Sequence, residues 1–307
     1  ELDHMLLELA EARGARVIQS RVTGVEVHPE DVILFTDSGT HSADVVIGAF
    51  GLDDSMQKVF EREVGYWPPG RLESCVIKLH PADPGVLDGF RGNIEAFLLP
   101  VPGVLFAAIV PKGDHLSIVA AGRRLTTRRL ISFLELPHVK RLLEFDFRVG
   151  APFKGSFPNG PARHFYGNRY VMVGDATGLV RPFKGKGINS AAITGIRAAE
   201  TIMNEGISRE AFRKYAARCR HLAGSVWSGR LAQWLTVLVG RTAGLGPLVR
   251  FASSSRRCRA ALFGAVSGME DYKDVLLVCF SPPVAAGIAW SYLAGVVRRI
   301  RRKPEQA

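Results

Sequence analysis

The residues best suited to chemistry lie between Arg169 and Glu200, in the run RYVMVGDATGLVRPFKGKGINSAAITGIRAAE. An apolar stretch ending at Val173 reads as a buried strand. Gly174 permits a tight turn directly after it. Asp175 then stands at the carboxyl end of the strand, where ligands of α/β sheets bind. A carboxylate there can accept hydrogen bonds from the hydroxyls of a sugar or polyol. The next loop carries Pro182, Gly185 and Gly187, and an alanine-rich helix begins near Ile188. The amides of Gly187, Ile188 and Asn189 then form an electropositive helix end, suited to a phosphate or an electron-rich ring oxygen. Residues 185–190 also fit G-x-G-x-x-S. A dinucleotide-binding fingerprint, however, comes directly after its strand, whereas eleven residues separate Val173 from Gly185. The spacing argues against that fingerprint.

Other chemistries find less support. Eight histidines include no H-x-x-x-H pair, and four cysteines include no C-x-x-C. Neither a zincin-type metal site, nor a cysteine zinc site, nor a disulfide scaffold is expected, and the cysteine usage suits a reducing compartment. No nucleophile triad is visible, and no catalytic side chain is assigned. With 47% hydrophobic and 22% charged residues, the 307-residue chain has ordinary globular composition, which excludes disordered and collagen-like classes. The net charge of +11 suits nucleic acid or an anionic membrane. Arg241, Arg250, Arg256, Arg257 and Arg259 alternate with apolar faces rather than with stacking aromatics, so a membrane surface is expected and nucleic acid is not.

The elements around these residues are set by periodicity. Residues 1–13 read as an amphipathic helix with Leu2, Met5, Leu6 and Leu9 on one face, stopped by Gly14. The chain thus opens inside an element and is expected to be a fragment of a longer one, and no signal peptide is visible. Strands are expected at 15–22, 24–28 and 32–36, with a turn at 37–39, and at 44–49. Four more at 75–79, 94–99, 104–110 and 116–121, with a turn at 111–114, suggest an antiparallel sheet. Helices are expected over 127–144, broken at Pro137, and over 189–204, with helical patterning from 210 onward. Residues 275–297 carry no charge and precede Arg298, Arg299, Arg301, Arg302 and Lys303. Pro282 and Pro283 break that stretch. It reads as a buried helix pair with a basic tail, as an interfacial anchor, or last as a full span.

The 169–200 run resembles the second FAD-binding motif, G-D-A-x-G followed by P and G-x-G-I, of flavoproteins of the p-hydroxybenzoate hydroxylase type. More narrowly, GDATGLVRPFKGKGINSA is similar to the geranylgeranyl reductase family. The resemblance implies FAD as cofactor, with Asp175 on the ribitol and the backbone amides of Gly187 and Ile188 at the flavin ring. Gly174, Gly185 and Asn189 shape the same loop and helix end. Residues 43–55, ADVVIGAFGLDDS, resemble the family's A-D-x-V-I-G-A-D-G-x-x-S, with Phe50 at the usual acidic position. That departure weakens the case for direct reduction by NADPH, so the donor stays open between NADPH and a ferredoxin-like protein. Val22 corresponds to the place where relatives lean backbone on the adenine. The opening strand–G-x-G-x-x-G–helix unit of the family has no counterpart in these residues, so poor FAD affinity is expected unless that unit is supplied. The resemblance covers residues 1 to about 220.

The nearest counterpart of the family's P-G-x-Y-x-W-x-F-P strand is residues 104–111, where Phe106 and Ala108 replace the Tyr and Trp. An apolar substrate pocket of Phe106, Ala108 and Pro111 is expected, without the family's aromatic shape. The implied fold is mixed α/β: a partial FAD/NAD(P)-binding Rossmann-like domain, an inserted antiparallel β-sheet substrate domain and a C-terminal helical region. The expected divisions are 1–60 and 151–205 for the FAD-binding part, 61–150 for the substrate sheet, 206–274 for the helical region and 275–307 for the tail. The implied activity is FAD-dependent reduction of carbon–carbon double bonds in an isoprenoid or prenyl lipid by hydride from reduced flavin. Aromatic monooxygenation or halogenation on the same fold is the alternative, as is a degenerate, non-catalytic membrane-associated flavoprotein. A cytoplasmic protein bound peripherally to an anionic membrane, with a lipid or other hydrophobic substrate, is the expected setting.

Overall fold

The computed structural model describes residues 2–90, 92–180, 187–223, 226–242, 244–267 and 270–301. Helix α1 (Leu2–Glu11) buries none of its residues, and Leu2, Met5, Leu6 and Leu9 are all exposed. Strands β1 (Val22–Val27), β2 (Val32–Thr36) and β3 (Gly39–Ala43) form an antiparallel ribbon in that order. Its second turn is closed by Thr36 Oγ1 donating to the Gly39 carbonyl at 2.8 Å. The strand expected at 15–22 is not formed, and only Val22 enters a strand. Alternating apolar residues make a strand only where a neighbour takes up the backbone groups. Residues 15–21 have no such ladder, the Asp37 N–H bond to the Arg21 carbonyl being isolated.

A small sheet positions the chemistry. Strand β4 (Val46–Gly48) runs parallel to a later strand, Tyr170–Met172, which also pairs antiparallel with Tyr166–Gly167. Helix α2 (Asp54–Val64) comes after β4, with Asp53 accepting the Met56 N–H as N-cap and Gly65 closing it at φ 66°. On one side of the sheet Val46, Tyr170 and Met172 pack with Val59, Phe60 and Tyr66. On the other, Val171 and Val173 pack with Ala198, Phe212 and Tyr215. The two-residue period of a strand thus gives one short segment two cores.

A second, six-stranded sheet is built from β5 (Arg71–Pro81), β6 (Glu95–Leu98), β7 (Val104–Lys112), β8 (His115–Gly122), β9 (Phe147–Val149) and β10 (Phe153–Pro158). Its order is β10-β5-β8-β7-β6, with β9 also on β5. Strands β9 and β10 lie outside the expected set, and β10 carries the sheet past residue 150. One face is covered by α3 (Val86–Gly89), α4 (Thr127–Leu134) and α5 (Pro137–Leu142), around Cys75, Leu79, Ala107, Ile109, Leu116, Ile118, Phe133 and Val139.

Strands β11 (Tyr166–Gly167) and β12 (Tyr170–Met172) then return to the small sheet, succeeded by α6 (Gly187–Glu205) and α7 (Arg209–Cys219). The rest is helical: α8 (Val226–Thr242), α9 (Gly246–Ser254), α10 (Arg256–Ser267), α11 (Tyr272–Cys279) and α12 (Pro282–Arg301). Pro282 and Pro283 open α12, where proline's missing N–H costs no helical bond. Among the described residues no single helix is long and apolar enough to cross a membrane. Helices α11 and α12 reach that composition only as a pair bent by 69°. Part of the pair is core, since Val275 and Val284 are buried, Val284 beside Ala252 and Cys258.

Candidate functional site

Strands β4 and β12 are parallel and end together, with Gly48 opposite Met172. The segments that leave them therefore emerge at one edge of the small sheet, the usual place for a ligand. After β12 the chain passes through Val173 into a short 3-10 turn, Gly174–Thr177. Gly174 has φ +63°, in the left-handed region, and its N–H donates to Thr194 Oγ1 of α6 at 2.8 Å. Thr177 Oγ1 donates to the Gly174 carbonyl at 2.7 Å. Gly178 closes the turn at φ +63°, and a Cβ there would lie 2.2 Å from the Gly160 carbonyl oxygen. Tyr66 Oη donates to the Ala176 carbonyl at 2.7 Å, and Tyr215 Oη to the Met172 carbonyl at 2.9 Å. Burial pushes both phenols above their ordinary range, so they remain donors. Sequence patterning does not single out Thr194, Tyr66 or Tyr215. Their only signal is a polar group on an otherwise apolar helical face or loop.

This frame holds Asp175 against the start of α6. A Cβ on Gly187 would lie 3.1 Å from Asp175 Oδ1 and 3.7 Å from Oδ2. Oδ1 is buried and has no hydrogen-bond partner among the described residues. Desolvation raises the Asp175 pKa above the usual carboxylate value. A buried acceptor lacking a donor is costly, and it fits a ligand hydroxyl or N–H brought to this spot. Gly187 is half-buried, whereas Ile188 and Asn189 are exposed, Ile188 at 72%. The first turn of α6 thus starts beside the carboxylate, with Ile188 and Asn189 exposed on it. The structure brings Asp175, Gly174 and Gly187 together as the sequence suggests, and Gly185 lies outside the described residues.

On the β4 side an open cavity of about 850 Å³ is lined by residues that include Ser20, Arg21, Val22, Gly48, Phe50 and Asp53. Val22 is half-buried there. A Cβ on Gly48 would lie 2.3 Å from Met172 Sδ and 2.8 Å from Phe50 Cε1, so close packing requires glycine. Phe50 stacks on Phe60 at 5.3 Å and meets Tyr66 edge-on at 5.8 Å, placing an aromatic ring where the family motif has an acid. The Ser55 hydroxyl and the Met56 amide hold the Asp53 pKa below its usual value. The buried, unpartnered carboxylate oxygen of Asp175 beside Gly187 fits a hydroxyl-bearing group such as the ribitol of FAD.

The chain is similar to archaeal lipid reductases. It is 29% identical over 235 residues to digeranylgeranylglycerophospholipid reductase 1 of Methanopyrus kandleri, covering 68% of this chain and 56% of that protein. It is 28% identical to digeranylgeranylglycerophospholipid reductase 2 of Methanothermobacter thermautotrophicus, covering 72% and 59%. The chain therefore spans a little over half the length of these relatives. Among solved structures, a geranylgeranyl bacteriochlorophyll reductase-like protein from Thermoplasma acidophilum superposes with a TM-score of 0.60 at 18% identity, over 76% of this chain and 62% of that one. The flavin-dependent brominase Bmp2 superposes with a TM-score of 0.59 at 16% identity, over 98% and 75%. No family model matches. The fold is a flavoprotein fold.

In this fold the large sheet stands beside the Asp175 turn. Ala162 N–H donates to the Thr177 carbonyl, and the Trp67 and Arg163 backbones bridge just before β5 and after β10. The sheet face opposite α4 and α5 carries rows of paired residues. Gly155, Ser74, Ala121, Phe106 and Leu98 form the row nearer that turn, and Phe153, Val76, Val119, Ala108 and Ala96 form the next. Phe106 and Ala108 therefore share one largely apolar face, on which Phe153 and Leu98 remain exposed. Pro111 does not join them. It pairs with Leu116 and by strand alternation points to the helix-covered face.

Proposed function

We propose that this chain belongs to an FAD-dependent oxidoreductase that reduces carbon–carbon double bonds of an isoprenoid or prenyl lipid. The observation that carries this reading is the buried Oδ1 of Asp175, which has no partner among the described residues and lies beside Gly187 at the start of α6, at the carboxyl end of β12. Asp175 would accept a ribitol hydroxyl, and the Gly187 and Ile188 amides would donate to the flavin ring. Reduced FAD, when bound, would supply the hydride. This chain's residues would then bind and orient: Phe106 and Ala108 would contact an alkyl chain on this face, which would shield the exposed Phe153 and Leu98 from water. The names of the archaeal relatives support a lipid as substrate. An anionic membrane is the proposed source of that lipid, with the C-terminal helices as the contact.

Halogenation is the second reading, favoured by the superposition of Bmp2 over nearly the whole chain, C-terminal helices included. Anaerobic turnover with chemically reduced FAD and an unsaturated archaeal-type phospholipid separates the two. A saturated product in the absence of oxygen supports the reductase. Products that form only with oxygen, carrying halogen or hydroxyl, overturn it.

A further inference from the structure

Three potential metal ligands meet at the far end of the large sheet. His80 is near the end of β5, and Asp114 and His115 stand at the turn into β8. Leu79 pairs with Leu116, so antiparallel register sets His80 beside His115, their rings 5.3 Å apart. One oxygen of Asp114 lies 2.8 Å from His115 Nδ1 and the other 3.6 Å from His80 Nδ1. One ligand atom from each residue falls within 4.8 Å of the others. His115 is largely buried, and its Nε2 has no partner among the described residues. We propose that His80, Asp114 and His115 form a site for a divalent transition-metal ion of the zinc or cobalt type.

Two imidazoles and one carboxylate are a donor set of that class, with remaining positions left to water. Ligand bonds of about 2.0–2.2 Å require the three groups to draw together, and Asp114, 82% exposed on a short turn, can move to do so. Lys112 pairs with His115 and Arg148 with His80 across the neighbouring strands. These two cations repel a dication, so binding is expected to be moderate. The site shares the sheet face of Phe106 but lies six residues along β5 from Ser74, roughly 20 Å away. It would therefore brace the β5–β8 end rather than touch reacting atoms.

The test is titration of the 307-residue chain with Co²⁺ and Zn²⁺, monitored by cobalt absorption and calorimetry. One equivalent should bind without the near-ultraviolet band of cobalt–thiolate ligation. Asp114→Asn and His80→Gln should each weaken binding at least about tenfold, equal to ~1.4 kcal/mol, with unchanged far-ultraviolet dichroism. Absence of saturable binding, a thiolate band, or affinity unaltered by both substitutions would overturn the site.

Discussion

Gly187 and Asp175 meet so closely that a single added Cβ at Gly187 would lie 3.1 Å from the carboxylate's Oδ1. In the proposed reading a flavin edge rests on the first amides of α6 beside this contact, and Gly187→Val places a branched side chain there. Flavin binding should weaken by more than about tenfold, ~1.4 kcal/mol, while dichroism shows a folded protein. Flavin titration of the parent and variant chains decides the matter. Stoichiometric flavin retained by Gly187→Val would place the ring elsewhere.

Asp175→Asn separates binding from stability. The carboxylate's role as charged acceptor is worth ~1.5–3 kcal/mol, so FAD binding should fall roughly ten- to hundredfold. The stability effect has the opposite sign. Burial raises the folded-state pKa of Asp175 above its value of 3.8, so the folded state holds its proton to higher pH than the unfolded one. Stability associated with this group is present below the unfolded pKa and is lost as pH rises through the folded one. At neutral pH the ligand-free Asp175→Asn protein should therefore melt higher than the parent, and the gain should vanish in acid. Equal melting temperatures at pH 7 would contradict the desolvated state of this carboxylate.

The Asp175 turn is legible in the sequence because its requirements are local. Gly174 and Gly178 both need positive φ, and Gly187 needs an open helix start, all within fourteen residues. Helix α2 carries a local signal too: an Asp53 cap, apolar Met56, Val59 and Phe60, and Gly65 as stop. Strands β9 and β10 are not legible. Their sequences carry Arg148, Lys154 and Gly155, and they become strands by pairing with the distant β5. The same holds for His80 and Asp114, brought together only by sheet register. The reverse case is 15–21, where alternation suggests a strand and no neighbour takes it up. Pro111 likewise lies close in sequence to Phe106 and Ala108, yet strand alternation puts it on the other face.

Phe106 tests the substrate face. It sits in the row nearer the Asp175 turn, on the sheet rather than within the turn itself. Phe106→Ala should leave flavin binding unchanged. Burying a large apolar side chain is worth ~1.5–3 kcal/mol, so KM for a prenyl lipid should rise roughly ten- to hundredfold. Pro111→Ala, on the covered face, should change KM little. Equal effects of the two substitutions would remove the distinction between the faces.

The C-terminal helices pair a strong positive charge with exposed apolar side chains. Residues 226–307 hold twelve of the 40 Lys and Arg residues but four of the 29 Asp and Glu. Helix α12 packs on α9 through Val284, Gly287, Ser291 and Tyr292. A Cβ on Gly287 would lie 2.2 Å from Phe251, Ser291 Oγ donates to the Pro247 carbonyl, and Tyr292 Oη to the Gly244 carbonyl. That leaves Trp290 and Leu293 exposed at 73% and 60%, with Leu277 and Phe280 also exposed on and just after α11. Exposed Trp, Phe and Leu among arginines are what an anionic bilayer surface binds. Deleting residues 275–307 would remove buried Val275 and Val284 and confuse insolubility with loss of binding, so point changes at exposed positions are the better probe. The chain should co-sediment with vesicles containing phosphatidylglycerol, weakly with phosphatidylcholine alone, and less in high salt. Arg298, Arg299, Arg301 and Arg302 each contribute about 1 kcal/mol near such a surface, so replacing all four with Gln should lower partitioning more than about a hundredfold. Trp290→Ala with Phe280→Ser should lower it at least about tenfold, since both positions expose apolar area that a membrane would cover. Both variants should melt like the parent. If the parent ignores anionic vesicles, or if neither variant changes its partitioning, the exposed face serves some purpose other than a bilayer.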